Sequence, residues 1–415
     1  MPNKDQVFPL MAKVSQTIKT PRIDDVSGTV EQELHKLSLQ DSIFDGARIA
    51  VTAGSRGITQ IPDILKRCIE YLKNLGANPF IVPSMGSHGG ATAEGQLSVL
   101  EHFGITEESM GVPIISSMDV VQIGTTSSGD PVYMDTNAWN ADGIIAINRI
   151  KTHTAMSEEI ESGLLKMISV GLGKEKGCSL IHSLGLGKAI QDMAQEVLNT
   201  GKILGGLAII ENSREEIAEI VGVKPEKMAD QEKELLVKSK ELMPSLPFKH
   251  IDVLIVEEIG KNISGTGMDT NVIGRFMLPH LQDPPQPQID IITVLDLSQK
   301  TGGNAMGIGL ADITTRKLVN KIDYQATYKN VIAAGFLNRA KIPITMENDR
   351  EAIELALKAS NCSNAKDARV VRIHNTLELS ELLISESLLE EAKEASFDIV
   401  SSLKDLAFDD NGNLT

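Results

Sequence analysis

The sequence predicts an α/β fold of two Rossmann-like domains with mainly parallel sheets and an active site in the interdomain cleft. Short β-branched runs alternate with longer stretches of helical spacing, and several of those runs end in glycine-containing polar loops. The 415 residues also exceed what one ordinary hydrophobic core accommodates.

Residues 48–52 (Arg-Ile-Ala-Val-Thr) read as the first strand, and the helix that follows, 62–75, puts Ile64, Leu65, Ile69 and Leu72 on one face. A second strand, 80–83, runs into Gly86-Ser87-His88-Gly89-Gly90, after which Thr92 caps a helix to about His102. The pattern recurs at 143–147, which ends in Lys151-Thr152-His153, and 203–210 is a further buried strand. Strand, turn and helix in repetition require parallel pairing, because only a crossover connection brings successive strands back in the same direction. The charged helix 225–242 ends before Pro244 and Pro247 and marks a boundary. Beyond it, 251–256, 289–297 and 370–373 are strands of a second unit, with helices at 311–322, 328–338 and 350–359. The expected domains are 1–247, carrying cofactor and catalytic groups, 248–395 on the substrate side, and a terminal segment 396–415 packing back on the first domain. Residues 409–415 read as a frayed end.

Composition excludes several functions. Aromatic residues make up 3%, too few to stack bases, and 40 basic against 56 acidic residues give a net charge of −16 that repels polyanions and anionic lipid. Neither nucleic acid nor a membrane is an expected partner. Cys68, Cys178 and Cys362 are isolated, with no CxxC pair, which argues against a disulfide scaffold or a thiolate cluster and suits a reducing compartment. The amino terminus has no signal-peptide core and the chain has no run of about 18 apolar residues, so a soluble, cytoplasmic protein is expected.

The chemistry gathers at strand ends. In Ala53-Gly54-Ser55-Arg56-Gly57 the backbone N–H groups and Arg56 suit a carboxylate or phosphate, or else form a tight turn with a solvated arginine. His88 stands among glycines that let a ligand approach the backbone, and Gly89 is one of them. Lys151 and His153 combine anion binding with proton transfer on one loop. Lys166 lies in an apolar stretch, where burial would free its amine for covalent chemistry unless the side chain snorkels to solvent. Gly171-Leu-Gly173-Lys174 is a candidate phosphate cradle that lacks the Walker spacing. His182 has no HExxH or His-x-His companion, so a metal there needs other ligands.

In this order of a strand-end arginine, a Gly-x-His turn, a second strand-end histidine, and a lysine followed 16 positions later by histidine, the chain resembles the nickel-pincer lactate racemase family over most of its N-terminal half. The resemblance implies a nickel-pincer nucleotide, a pyridinium mononucleotide with two thio groups, attached through a thioamide to Lys166, its nickel completed by His182. It implies His88 and His153 as opposed acid/base groups and Arg56 as an anion-binding residue. Ser55, Gly89, Lys151, Gly173 and Lys174 are the further cofactor-binding candidates, and cofactor-synthesis enzymes are implied as partners. A cofactor that brings three donors of its own explains how one histidine suffices.

The implied activity is racemisation or epimerisation of a 2-hydroxy acid by proton-coupled hydride transfer. Asp269, Asn271, Arg275 and Asn304 are the substrate-side candidates, with Asp312 beside them. Ile273 and Gly274 stand where the family has the tyrosine and glutamine that contact lactate, so a larger acid, such as a sugar acid, is the expected substrate. A nicotinamide-dependent oxidoreductase would need a Gly-x-Gly-x-x-Gly that 53–57 does not supply. A non-catalytic carboxylate- or phosphate-binding protein would use Arg56 and the glycine turns but not Lys166 paired with His182.

Overall fold

A computed structural model describes residues 7–415 apart from 19, 155, 279, 280, 361 and 363. The first six residues, on which the expectation for the amino terminus partly rests, lie outside the described residues. The fold is mixed α/β with two mainly parallel sheets. The chain divides into Lys19–Met243 and a second unit that joins the segment ending at Ile18 to Pro244–Thr415.

That division corrects the expected contiguous boundary at 247. Strand β1 (Met11–Ser15) buries Met11, Ala12 and Val14 and pairs antiparallel with Glu381–Ser385 and with Asp398–Ile399. A strand with so apolar a face needs a sheet to join, and its partners lie at the far end of the chain. The terminal segment therefore meets the amino-terminal strand, but in the second unit. Its end is not frayed. The Asp409 carboxylate turns it by accepting the N–H groups of Asn411 and Asn413 at 2.9 and 2.8 Å. Gly412 O then accepts the Arg350 N–H at 2.9 Å, and the Leu414 N–H donates to Asp349 at 2.9 Å.

In Lys19–Met243, strands β2 (Arg48–Ala53), β3 (Asn78–Pro83), β6 (Gly143–Arg149), β7 (Ile203–Glu211) and β8 (Ile217–Val223) form one sheet in the order β3-β2-β6-β7-β8. All pairs are parallel except the last, while β4 (Val120–Thr125) and β5 (Pro131–Asp135) form a separate hairpin. Period-2 alternation sends Ile144 and Ala146 to one core and Ile145 and Ile147 to the other, so both faces of the sheet are covered. Each such branched side chain contributes about 1.5–3 kcal/mol by leaving water. The helices Ile61–Asn74 and Ala93–His102 fall where their patterns place them, the second capped by Thr92 through the Gly95 N–H at 3.0 Å. The strand order reverses between β2 and β6, and at such a switch point the loops leaving the carboxyl ends diverge and open a crevice.

The other sheet runs β12-β11-β10-β9-β13-β14-β1-β15, from β9 (His250–Ile259), β10 (Gln288–Leu297), β11 (Ile313–Thr315), β12 (Ile344–Met346), β13 (Val370–Ile373), β14 (Glu381–Ser385) and β15 (Asp398–Ile399). Strand β11 occupies part of the expected helix 311–322. Its β-branched Ile313-Thr314-Thr315 pairs with β10, and the Thr315 hydroxyl then caps the short helix Arg316–Val319. The helix expected at 328–338 runs instead over Tyr324–Ala334 and stops at Gly335, whose φ of 74° is left-handed. Among the described residues no helix is long and apolar enough to cross a membrane.

Candidate active site

Three loops leave the carboxyl ends of β2, β3 and β6, and each carries a residue singled out by the sequence. Ser55 and Arg56 follow β2, His88 follows β3, and Lys151 and His153 follow β6. The Arg56 loop is anchored from β7: Glu211 accepts the Thr59 N–H at 2.7 Å and pairs with Arg149. Ser55 hydrogen-bonds His88 Nδ1. A ring held at Nδ1 keeps one orientation, which suits a proton-transfer group.

The His88 turn is built from beneath. Gln96 is wholly buried and donates through Nε2 to Gly86 O at 2.9 Å and His88 O at 3.4 Å. Its Oε1 accepts from Lys174 Nζ at 3.0 Å, and the same ammonium donates to Pro83 O at 2.5 Å and pairs with Asp135 at 3.2 Å. Lys174 and Asp135 have no exposed side-chain surface. Desolvation pulls the Lys174 pKa down and the Asp135 carboxylate opposes it. Lys174 therefore holds the loop that presents His88 and is not available to a phosphate. Gly173 serves packing as well, since a Cβ there would stand 2.5 Å from Ser169 O. At Gly89, with φ of 67°, a Cβ would stand 2.6 Å from Gln96 N, so the turn requires glycine.

The loop after β6 is closed by paired backbone bonds between Lys151 and Ser162, at 2.9 and 3.2 Å. Inside it the His153 N–H donates to Glu161 at 2.6 Å, and Glu161 also pairs with Lys240 at 2.9 Å. Burial pushes the Glu161 carboxyl up, against the His153 N–H and Lys240, which hold it down.

Lys166 ends a short helical turn, Leu164–Lys166, that passes into a π turn, Met167–Gly171, a geometry that recurs at functional sites. Its side chain is half-buried. Desolvation first and the Arg56 cation second draw its pKa down to about 8, against Cys178 and Glu161. Arg56 is lowered by desolvation and by Arg149, although much of its side chain is exposed. His182, on the helix Lys174–Leu184, is lowered by desolvation and then by Lys166. Lys166, Arg56 and His182 thus share one electrostatic neighbourhood. Their nitrogens have no hydrogen-bond or ion-pair partner among the described residues. Two mutually repelling cations beside a neutral imidazole suit an anion, and an amine neutral near pH 8 suits a covalent bond. No trio of histidine, cysteine or carboxylate ligands includes His182 among the described residues; such a trio does form at His250, Asp252 and Asp290 in the second unit.

The substrate-side candidates lie in that second unit and are largely engaged within it. Arg275 donates to Leu310 O at 3.0 Å, Asp312 at 2.8 Å, Ile289 O at 3.0 Å and Asp290 O at 3.3 Å. Asp312 also accepts the Ile292 N–H at 2.8 Å, and Asn304 accepts the Met306 N–H at 3.1 Å. These three hold loops. Asp269 turns the chain by accepting the Asn271 N–H at 2.9 Å through Oδ1. Gln96, Asp135, Glu161 and the Arg149–Glu211 pair escaped the sequence reading, since each matters through a partner distant in the chain.

Residues 11–193 match the family model described as the lactate racemase N-terminal domain. Among solved structures, the lactate racemase apoprotein from Thermoanaerobacterium thermosaccharolyticum is similar with a TM-score of 0.52 at 15% identity, over 88% of this chain and 98% of that one. A protein from Thermotoga maritima has a TM-score of 0.50 at 12% identity, over 83% and 92% of the two chains. At such identities the likeness concerns the fold. No curated protein sequence matches.

Proposed function

We propose that this chain, whose residues 11–193 match the lactate racemase N-terminal domain model, is a racemase or epimerase that inverts the hydroxyl-bearing carbon of a small 2-hydroxy acid. The observation that carries the proposal is the grouping of Arg56, Lys166 and His182, two cations and an imidazole whose side chains have no hydrogen-bond or ion-pair partner among the described residues, around an amine whose pKa is about 8. A nickel-pincer nucleotide fits this set. Lys166 would hold it through an amide-type bond, Arg56 would neutralise its phosphate or carboxylate, and His182 would offer the protein's metal donor. When bound, such a group supplies a reversible hydride acceptor, which inversion of a carbinol carbon requires.

The chain's own groups manage the proton. His88, oriented through Nδ1 by Ser55, exchanges a proton with the substrate hydroxyl on one side. His153, on the loop braced by Glu161, does so on the other. Two such groups are needed because the enantiomers present their hydroxyls to opposite sides. Replacement of the family's tyrosine and glutamine by Ile273 and Gly274 favours an acid larger than lactate. A non-catalytic anion binder would need Arg56 but gives no account of an oriented histidine or of a lysine whose pKa is lowered to about 8.

The test is intact-mass and nickel analysis of the chain produced together with cofactor-synthesis enzymes. An adduct mapping to Lys166 with accompanying nickel is expected. Unmodified Lys166 without nickel would overturn the proposal.

A further inference from the structure

The helix Met228–Glu241 turns Met228, Glu232, Leu235, Leu236 and Ser239 inward. Glu232 therefore occupies a position that helical spacing reserves for an apolar residue. It is 1% exposed. Its Oε2 accepts the Leu165 N–H at 2.9 Å, and the carboxyl also accepts the Leu164 N–H. Oε1 has no hydrogen-bond partner among the described residues. A carboxyl buried in this way carries a heavy desolvation penalty, so its contacts have to matter.

What it contacts is the start of the turn that bears Lys166. Leu164 and Leu165 open that turn, and Gly163 at its N-cap has no side chain to satisfy their N–H groups. Without Glu232 those donors would be buried orphans. The same stretch is held from β6, where Asn148 Nδ2 donates to Gly163 O at 2.7 Å, and the Glu232 helix is tied to that strand end by Ser239 Oγ, which donates to Ile150 O at 3.0 Å. A Cβ on Gly163 would lie 2.3 Å from Glu232 Oε1, so the close approach depends on glycine there. Beyond Lys166 the helical register loosens, with the Leu172 N–H reaching Met167 O at 3.0 Å across a π turn. The direction in which Lys166 leaves the backbone is consequently set by the turn before it.

We infer that Glu232 is a positioning residue for Lys166: by accepting the Leu164 and Leu165 N–H groups it fixes the turn from which the amine is held beside Arg56 and His182. The inference rests on Lys166 being the reactive lysine of the proposed function. The two fail separately, because amine labelling requires no cofactor.

The experiment is limiting acetylation of the full chain by acetic anhydride at pH 8. The rate at Lys166 is referenced to exposed Lys358 by peptide mass spectrometry, and hydrogen exchange is followed at Leu164 and Leu165. In E232A the freed amine regains water and its proton, so Lys166 labelling should fall about tenfold while both amides exchange faster. E232Q keeps a carbonyl acceptor for the same donors and should restore labelling to within about threefold of the parent. Should E232A fail to fold, E232L fills the volume without an acceptor and takes its place. Labelling in the acceptor-less variant that is unchanged or faster would overturn the inference, as would E232Q behaving like that variant.

Discussion

The Lys174 ammonium and the Asp135 carboxylate pair at 3.2 Å with no exposed surface on either side chain, beneath the turn that carries His88. Removing one member leaves the other charge buried and unmatched, which costs about 3–5 kcal/mol. We expect K174M to lose stability in that range by urea unfolding, and D135N to lose somewhat less because its amide still accepts. The K174M variant should also show faster hydrogen exchange over 84–90, where Gln96 relays the pair to Gly86 O and His88 O. Unaltered stability with weakened phosphate binding would return Lys174 to the cradle role that its Gly-Leu-Gly-Lys context suggests.

Lys166 should titrate near pH 8. Acetylation of Lys166 as a function of pH is expected to inflect there, whereas an exposed lysine inflects near its usual value of about 10.4. The Arg56 cation is the second cause of the depression, after desolvation, so R56A should move the inflection upward toward the ordinary value. An inflection unmoved by R56A would mean that the guanidinium does not act on the amine.

On the proposed function, Ser55 would act on catalysis by orienting His88 through Nδ1. General acid–base catalysis contributes about 10²–10⁴-fold, and a ring without its orienting partner forfeits part of that. S55A should therefore reduce kcat for racemisation while leaving KM and the Lys166 adduct unchanged. H88A and H153A should each abolish interconversion with the adduct intact. Full activity in S55A would show that the Ser55 hydroxyl does not orient the ring.

Much of this arrangement is readable from the chain, for a physical reason. Parallel strands buried on both faces need continuous β-branched runs, so β2, β6 and β9 stand out, and the glycines around His88 mark a backbone conformation that other residues resist. What could not be read depends on partners far apart in sequence. Lys174 follows Gly171-Leu-Gly173 as a phosphate-binding lysine would, and only the β4–β5 hairpin, which brings Asp135 beneath it, changes its meaning. Arg275 likewise looks like a ligand for an acid until β10 and its neighbouring loop supply four acceptors. Strand β1 gives no sign of its sheet, because its partners lie more than three hundred residues away. Glu232 did leave a trace, a charge on the apolar face of its helix.

That charge also predicts a pH dependence of stability. Burial raises the Glu232 carboxyl from its ordinary 4.5 to about 7, against the two backbone N–H groups that favour the carboxylate. The folded chain thus keeps a proton that the unfolded chain has lost. The associated stability is fully present below pH 4.5 and disappears as pH rises through 7, and its ceiling is about 3 kcal/mol. E232Q cannot titrate, so the difference between parent and variant isolates this group from the other carboxyls. Urea unfolding at pH 5 and pH 8 should show the parent losing more stability than E232Q over that interval. Parallel losses would mean that water reaches the carboxyl and that its proton is not held by the fold.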